Sequence, residues 1–184
     1  MPYIQTLPDT FTTPAYYSDK EMLLLPAQLR KKAEKKITEL QQTYARLKSL
    51  LDLYWTELGL VFSFNNFCWA WYCVNSRSVY FKTETFDCVR DDGNHVALAP
   101  FLDLLNHSCK AKIEAGFNTK TKCYEIRTLD KYRKYEQVFI SYGPHDNHHL
   151  LIEYGFTLPD NSYDTYELDF GKLFFNLDRI TKSF

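Results

Sequence analysis

Asp103-Leu104-Leu105-Asn106-His107-Ser108 places four polar side chains in six positions, directly behind an apolar stretch over residues 96–102. Downstream follow Ile140-Ser141-Tyr142-Gly143, then Asn147, then Glu153-Tyr154-Gly155-Phe156. Taken alone, the first cluster reads as a turn or a helix cap, because Asp, Asn and Ser side chains bond nearby backbone amides. Asn106-His107-Ser108 also has the form of an N-glycosylation acceptor, a chance match in a chain without a secretory signal. His145, His148 and His149 lack the carboxylate or cysteine that would complete a recognisable metal-ligand set, so they read as loop-shaping residues and no metal is expected.

The elements around these motifs follow from period and punctuation. Residues 1–17, with Pro2, Pro8 and Pro14, read as an extended lead-in without helical period. Ser18-Asp19-Lys20-Glu21 fits a capping box, and Pro26 ends that first helix and begins another. Ala33, Ile37, Leu40, Tyr44, Leu47 and Leu51 then fall on one helical face. The run from Arg30 to Lys36 on the charged side reads as a solvated surface and receives no function. A further helix over residues 65–76 carries Phe67, Cys68, Trp71, Tyr72 and Asn75 at three- and four-residue intervals. Residues 112–117 and 122–129, joined by a polar turn, form a hairpin, residues 137–142 form a third strand, and residues 148–154 return to helix. The fold class is α+β.

Composition narrows the function. At 184 residues the chain suits one core, and 45% hydrophobic with 24% charged residues favours folding over disorder. Lys plus Arg number 22 against 23 for Asp plus Glu, a net charge of -1, which gives no global field for nucleic acid. No apolar run approaches the roughly 20 residues of a membrane span, and the first residues carry no secretory signal, so neither membrane nor nucleic acid is an expected partner and the expected compartments are cytoplasm and nucleus. Cys68, Cys73, Cys88, Cys109 and Cys123 are odd in number and show no C-x-x-C spacing, and they read as mostly reduced and buried. The six glycines are never close enough to build a phosphate-cradling loop.

Read together and in order, Asn106-His107-Ser108, Tyr142-Gly143 and Tyr154-Gly155-Phe156, with Ser76-Arg77 upstream, resemble the SET-domain protein-lysine methyltransferases of the Rubisco large-subunit methyltransferase class. The resemblance implies a partial SET β-fold with a helical insertion. It puts the insertion at residues 1–95, the C-terminal SET core at 96–158, and the start of a further lobe or a divergent tail at 159–184. It implies S-adenosylmethionine as cofactor and a lysine of a histone or other protein as acceptor, with histidine as the acceptor in one related group. By the same resemblance, Asn106 and the His107 backbone hold the cofactor's adenine and amino-acid ends, and Ser76, Arg77 and Asp103 complete its pocket. Tyr142 is the catalytic residue, and Tyr142, Tyr154 and Phe156 wall the lysine channel. Each has a plainer reading: a salt bridge for Arg77, a buried strand-end aromatic for Tyr142, core packing for Tyr154 and Phe156.

The chemistry implied is an in-line attack of a lysine amine on a sulfonium methyl. With a reference pKa near 10.4, only about one lysine in a thousand is neutral near pH 7.4, a deficit of about 4 kcal/mol. A low-dielectric aromatic channel beside a sulfonium reduces that deficit, and a tyrosine hydroxyl can orient the amine without acting as its base. Family members also carry an upstream G-x-G segment that contacts the cofactor, and a C-terminal helical lobe. Neither is found in this sequence, so the expectation is a truncated form with weak or no transfer activity, or a silent interaction module.

Overall fold

Ser18 starts the first helix as its sequence predicts. Its N–H donates to the Glu21 carboxylate at 2.8 Å while its hydroxyl accepts the Glu21 N–H, a complete capping box for α1 (Asp19–Leu24). Pro26 stands at the N-cap of α2 (Ala27–Tyr54), whose face buries Leu29, Ala33, Leu40 and Leu51. Leu47 departs from the predicted buried face and is exposed. Tyr44 packs against Phe62, Phe64 and Phe67, and the end of α2 meets the short α3 (Thr56–Val61), which has no periodic signature of its own. The computed structural model describes residues 2–81 and 95–166.

The core gathers on α4 (Phe64–Arg77), which Ser63 caps by accepting the Asn66 N–H at 3.2 Å. Phe67, Cys68 and Tyr72 pack with Leu40, and Phe11, Ala15, Tyr16, Tyr44 and Trp71 close around them. The lead-in is therefore part of the core, and it is not simply extended: 3-10 turns span Ile4–Thr6 and Pro14–Tyr16. Pro14 suits the opening position of its turn, where it has no N–H to satisfy. Cys68 and Cys73 are buried, but Cys109 is half-buried and Cys123 exposed, so the expectation of mostly buried thiols fails for half of the four described cysteines. Cys88 lies outside the described residues, as does the chain beyond residue 166 to which a lobe or tail was assigned.

After α4 the chain forms two-stranded pairings. Strand β1 (Ser78–Phe81) runs antiparallel to β2 (His95–Leu98). Strand β3 (Asn106–His107) is followed by the hairpin of β4 (Ile113–Asn118) and β5 (Cys123–Thr128), in register from Ile113 opposite Thr128 to Asn118 opposite Cys123. The Asn118 side chain accepts the Lys120 N–H at 2.9 Å and so shapes the hairpin turn. The predicted strand at 137–142 shortens to β6 (Phe139–Ile140), which runs parallel to β3. It ends there because the Tyr142 N–H leaves the backbone ladder for the His107 ring. Asp146 then caps α5 (Asn147–His149), which passes into a π-helical turn, Leu150–Tyr154. Lys36 pins that turn to α2 through both oxygens of Glu153, at 2.7 and 2.8 Å.

Candidate active site

Strand β3 and the residue before it hold Tyr142. His107 is buried, and its Nδ1 accepts the Tyr142 N–H at 3.0 Å; two residues earlier, the Leu105 carbonyl accepts the Tyr142 hydroxyl at 2.8 Å. Tyr142 is thus fixed at its backbone and at the tip of its ring by the three-residue span from Leu105 to His107. Tyr154 lies beside it with ring centroids 5.2 Å apart, and Phe156 meets it edge-on at 6.5 Å. Burial raises the phenol pKa of both Tyr142 and Tyr154, and the charge of Tyr154 adds to the effect on Tyr142. Both hydroxyls are therefore protonated near neutral pH: each can donate a hydrogen bond, and neither is a ready base.

A polar cluster stands next to these rings. Arg77, in the last turn of α4, reaches Asp103 Oδ2 through Nη1 at 3.3 Å, and the Tyr3 hydroxyl donates to the same oxygen. Asp103 enters from the 3-10 turn Leu102–Leu104 just ahead of β3. Ser76 is turned back on its own helix and donates to the Tyr72 carbonyl.

Two recesses meet at this cluster, sharing Ser76, Arg77, Asp103, Tyr142 and Tyr154. The first, about 330 Å³, is walled by Tyr80 of β1 and by Tyr124 and Ile126 of the hairpin. The second, about 270 Å³, adds Asn106, Phe156 and lead-in residues from Pro8 to Thr12. Tyr142 and Tyr154 border both, whereas Phe156 lines the Asn106 side alone. His107 lines neither recess and acts from behind by holding Tyr142. A separate recess of about 480 Å³ between α2 and α5, lined by Lys32, Lys36, His145 and His149 among others, takes in none of the predicted site residues.

Sequence reasoning did not single out Tyr3, Tyr80, Tyr124 or Ile126. The last two had a usable signal, since Tyr124 and Ile126 alternate along β5 as Ile113 and Ala115 do along β4, which marks one hairpin face. Chemically, the arrangement offers an aromatic junction of two recesses, a neutral phenol fixed at their meeting point, and a guanidinium and a carboxylate beside it.

Comparison with known proteins bears on what such a junction serves. The family model for the SET domain matches residues 3–143. SET domain-containing protein 4 of Mus musculus is 42% identical over 165 residues, covering 88% of this chain and 38% of that protein. Ribosomal lysine N-methyltransferase set11 of Schizosaccharomyces pombe is 36% identical over 118 residues, 64% of this chain and 29% of that protein. The crystal structure of the SET domain of LSMT bound to lysine and AdoHcy aligns with a TM-score of 0.66 at 24% identity, covering 90% of this chain and 37% of that one. The chain spans well under half the length of these relatives.

Proposed function

The chain belongs to the SET-domain family, and from that premise we propose that its site serves methyl transfer from S-adenosylmethionine to a lysine nitrogen of a protein, histone or other. The observation that carries this reading is the junction: two recesses that share one fixed tyrosine are what a reaction joining two ligands requires. The Asn106 recess suits the cofactor, since it combines an aromatic wall at Phe156 with the Asn106 amide, the half-buried Arg77 guanidinium and the buried Asp103 carboxylate, a set matched to a ligand with an aromatic and an amino-acid end. Bound S-adenosylmethionine supplies a methyl group on a positively charged sulfur.

The hairpin recess suits the acceptor. Tyr80, Tyr124 and Ile126 offer apolar area to an aliphatic side chain, and a side chain that fills the recess displaces water and so disfavours an ammonium at its tip. The Tyr142 hydroxyl, held by Leu105, marks where the amine is oriented. Tyr154 contributes the second hydroxyl at the junction, and the room beside it sets how many methyl groups fit.

The test is incubation of the chain with S-adenosylmethionine labelled in its methyl group and a mixture of proteins, followed by amino-acid analysis of the labelled product. Methyllysine is the product expected of the weak transfer the chain retains, and Tyr142→Phe should lower that turnover roughly a hundredfold through loss of alignment, with its circular dichroism unchanged. A wild-type rate in Tyr142→Phe would remove Tyr142 from the reaction. Label in methylhistidine would change the acceptor, and cofactor uptake without any transfer would mark an interaction module.

A further inference from the structure

Residues 108–136, the hairpin and the chain on either side of it, carry eight Lys and Arg against four Asp and Glu, in a chain whose net charge is -1. The carboxylates serve the local fold. Asp130 accepts the Lys112 backbone N–H at 2.8 Å, Glu136 accepts the Arg133 backbone N–H at 2.7 Å, and Glu125 accepts the Asn118 amide and the Thr121 hydroxyl at 2.9 and 2.7 Å. Glu114 stands opposite Arg127 in the hairpin register. None of the eight cationic side chains makes an ion pair among the described residues.

Five of these cations, Lys110, Lys112, Lys131, Arg133 and Lys134, are exposed on the two segments that meet at the open end of the hairpin, where the Lys112 carbonyl accepts the Leu129 N–H at 2.9 Å. That end borders the hairpin recess. Ile113, next to Lys112, lines it, and so does Ile140, next to Phe139, whose N–H and carbonyl both meet the Tyr132 hydroxyl at 3.4 Å. Between Tyr132 and β6 the chain makes a turn, closed by the Glu136 N–H on the Arg133 carbonyl at 3.1 Å, with Lys134 and Tyr135 at its tip. Tyr135 has φ +73, a region that suits Gly or Asn and strains an aromatic residue, and it is 92% exposed, so packing in the fold offsets none of that strain. Lys134 Nζ lies 4.8 Å from the centroid of its ring.

We propose that this end of the hairpin is a docking surface for an acidic segment of the acceptor protein, with carboxylates beside the acceptor lysine met by the five cations and with Tyr135 as the aromatic anchor. Tyr and Arg are among the side chains that most often anchor a protein interface. A phosphate backbone brings a charge at every step and would be repelled by the four carboxylates in the same stretch, whereas a peptide can place its carboxylates where the cations are. That the segment belongs to the acceptor rests on the function proposed above; the preference for acidic peptides does not.

The test is fluorescence anisotropy of the chain with labelled peptides of about ten residues and one central lysine, flanked by Asp and Glu in one peptide and by Asn and Gln in the other. The acidic peptide should bind at least tenfold more tightly, and the difference should shrink as salt is raised from about 0.05 to about 0.5 M. Arg133→Glu with Lys134→Glu should abolish the preference, whereas Lys20→Glu with Lys31→Glu, the same change of charge on α1 and α2, should leave it intact. Tyr135→Asn should leave the melting temperature unchanged or raise it, because Asn tolerates the left-handed turn, and should weaken binding of the acidic peptide severalfold. A tyrosine that only supports the fold would not give that combination. Equal affinity for the two peptides, loss of the preference in both charge variants, or tighter binding of a uridine oligonucleotide of the same length would overturn the proposal. An acidic peptide that binds as tightly with its lysine replaced by alanine would detach the surface from the proposed acceptor site, while the charge variants still decide whether the surface exists.

Discussion

Tyr142 depends on a particular protonation state of His107. Because Nδ1 accepts the Tyr142 N–H, that nitrogen must be unprotonated, and burial, helped by the charge of His145, holds the His107 pKa below its ordinary 6.5. Protonation therefore favours the unfolded chain: the His107 contribution to stability is complete above about pH 6.5 and is lost as pH falls through the depressed native value. Melting temperature should drop as pH is lowered from about 7 to about 5. His107→Asn, whose side-chain oxygen can accept the same N–H without titrating, should be weaker by roughly 1 kcal/mol at neutral pH yet show a flatter profile. Identical pH profiles for the two proteins would deny His107 this role. The motifs around His107 and Tyr142 were legible because two short segments stand in a known order. Tyr3 was not, because its partner lies a hundred residues away and no spacing rule joins a phenol to a distant carboxylate.

The π-helical turn Leu150–Tyr154 has to deliver Tyr154 and Phe156 to the same side, and Gly155 makes that possible. Its φ is +82, and a Cβ there would lie 2.6 Å from Thr12 Oγ1 and 3.0 Å from the backbone of Thr12 and Thr13. Gly155→Ala should thus cost about 1 to 3 kcal/mol in denaturant unfolding, from the left-handed backbone and the displaced lead-in together. An unchanged midpoint would show that the close approach is soft. Ser18→Ala acts far from the site and should cost about 1 kcal/mol through the lost cap, with ligand affinity untouched. The elements with caps or sustained period, from Ser18 through the long face of α2 to α4 and the hairpin, were readable in the sequence. Two-residue strands such as Asn106–His107 were not, since two positions carry no period, and their pairing is decided by where α4 and the hairpin place the chain.

Stability across the molecule is unevenly distributed, and the site lies on the boundary. The lead-in, α2 and α4 enclose Leu40, Phe67, Cys68 and Tyr72, whereas the strands form three separate two-stranded pairings among the described residues. An isolated pair of strands is marginal in water, and most positions of β4 and β5 are at least partly exposed. Tyr124 and Ile126, which wall one recess, thus ride on the less protected part, while Arg77 belongs to α4 in the more protected part. Hydrogen exchange should reveal the difference: backbone amides of Cys123–Thr128 should exchange on the order of a hundredfold faster than those of Phe67 to Tyr72, because the hairpin can open without disturbing the helical core. Phe67→Ala, which removes a ring from that core, should cost about 3 to 5 kcal/mol and raise exchange everywhere, whereas Ile126→Ala should speed exchange in the hairpin alone. A ligand filling the hairpin recess should slow exchange there while leaving the helices as they were. Equal protection of hairpin and helices in the ligand-free protein would mean that the two unfold as one unit, and the wall of the recess would then be as rigid as the core.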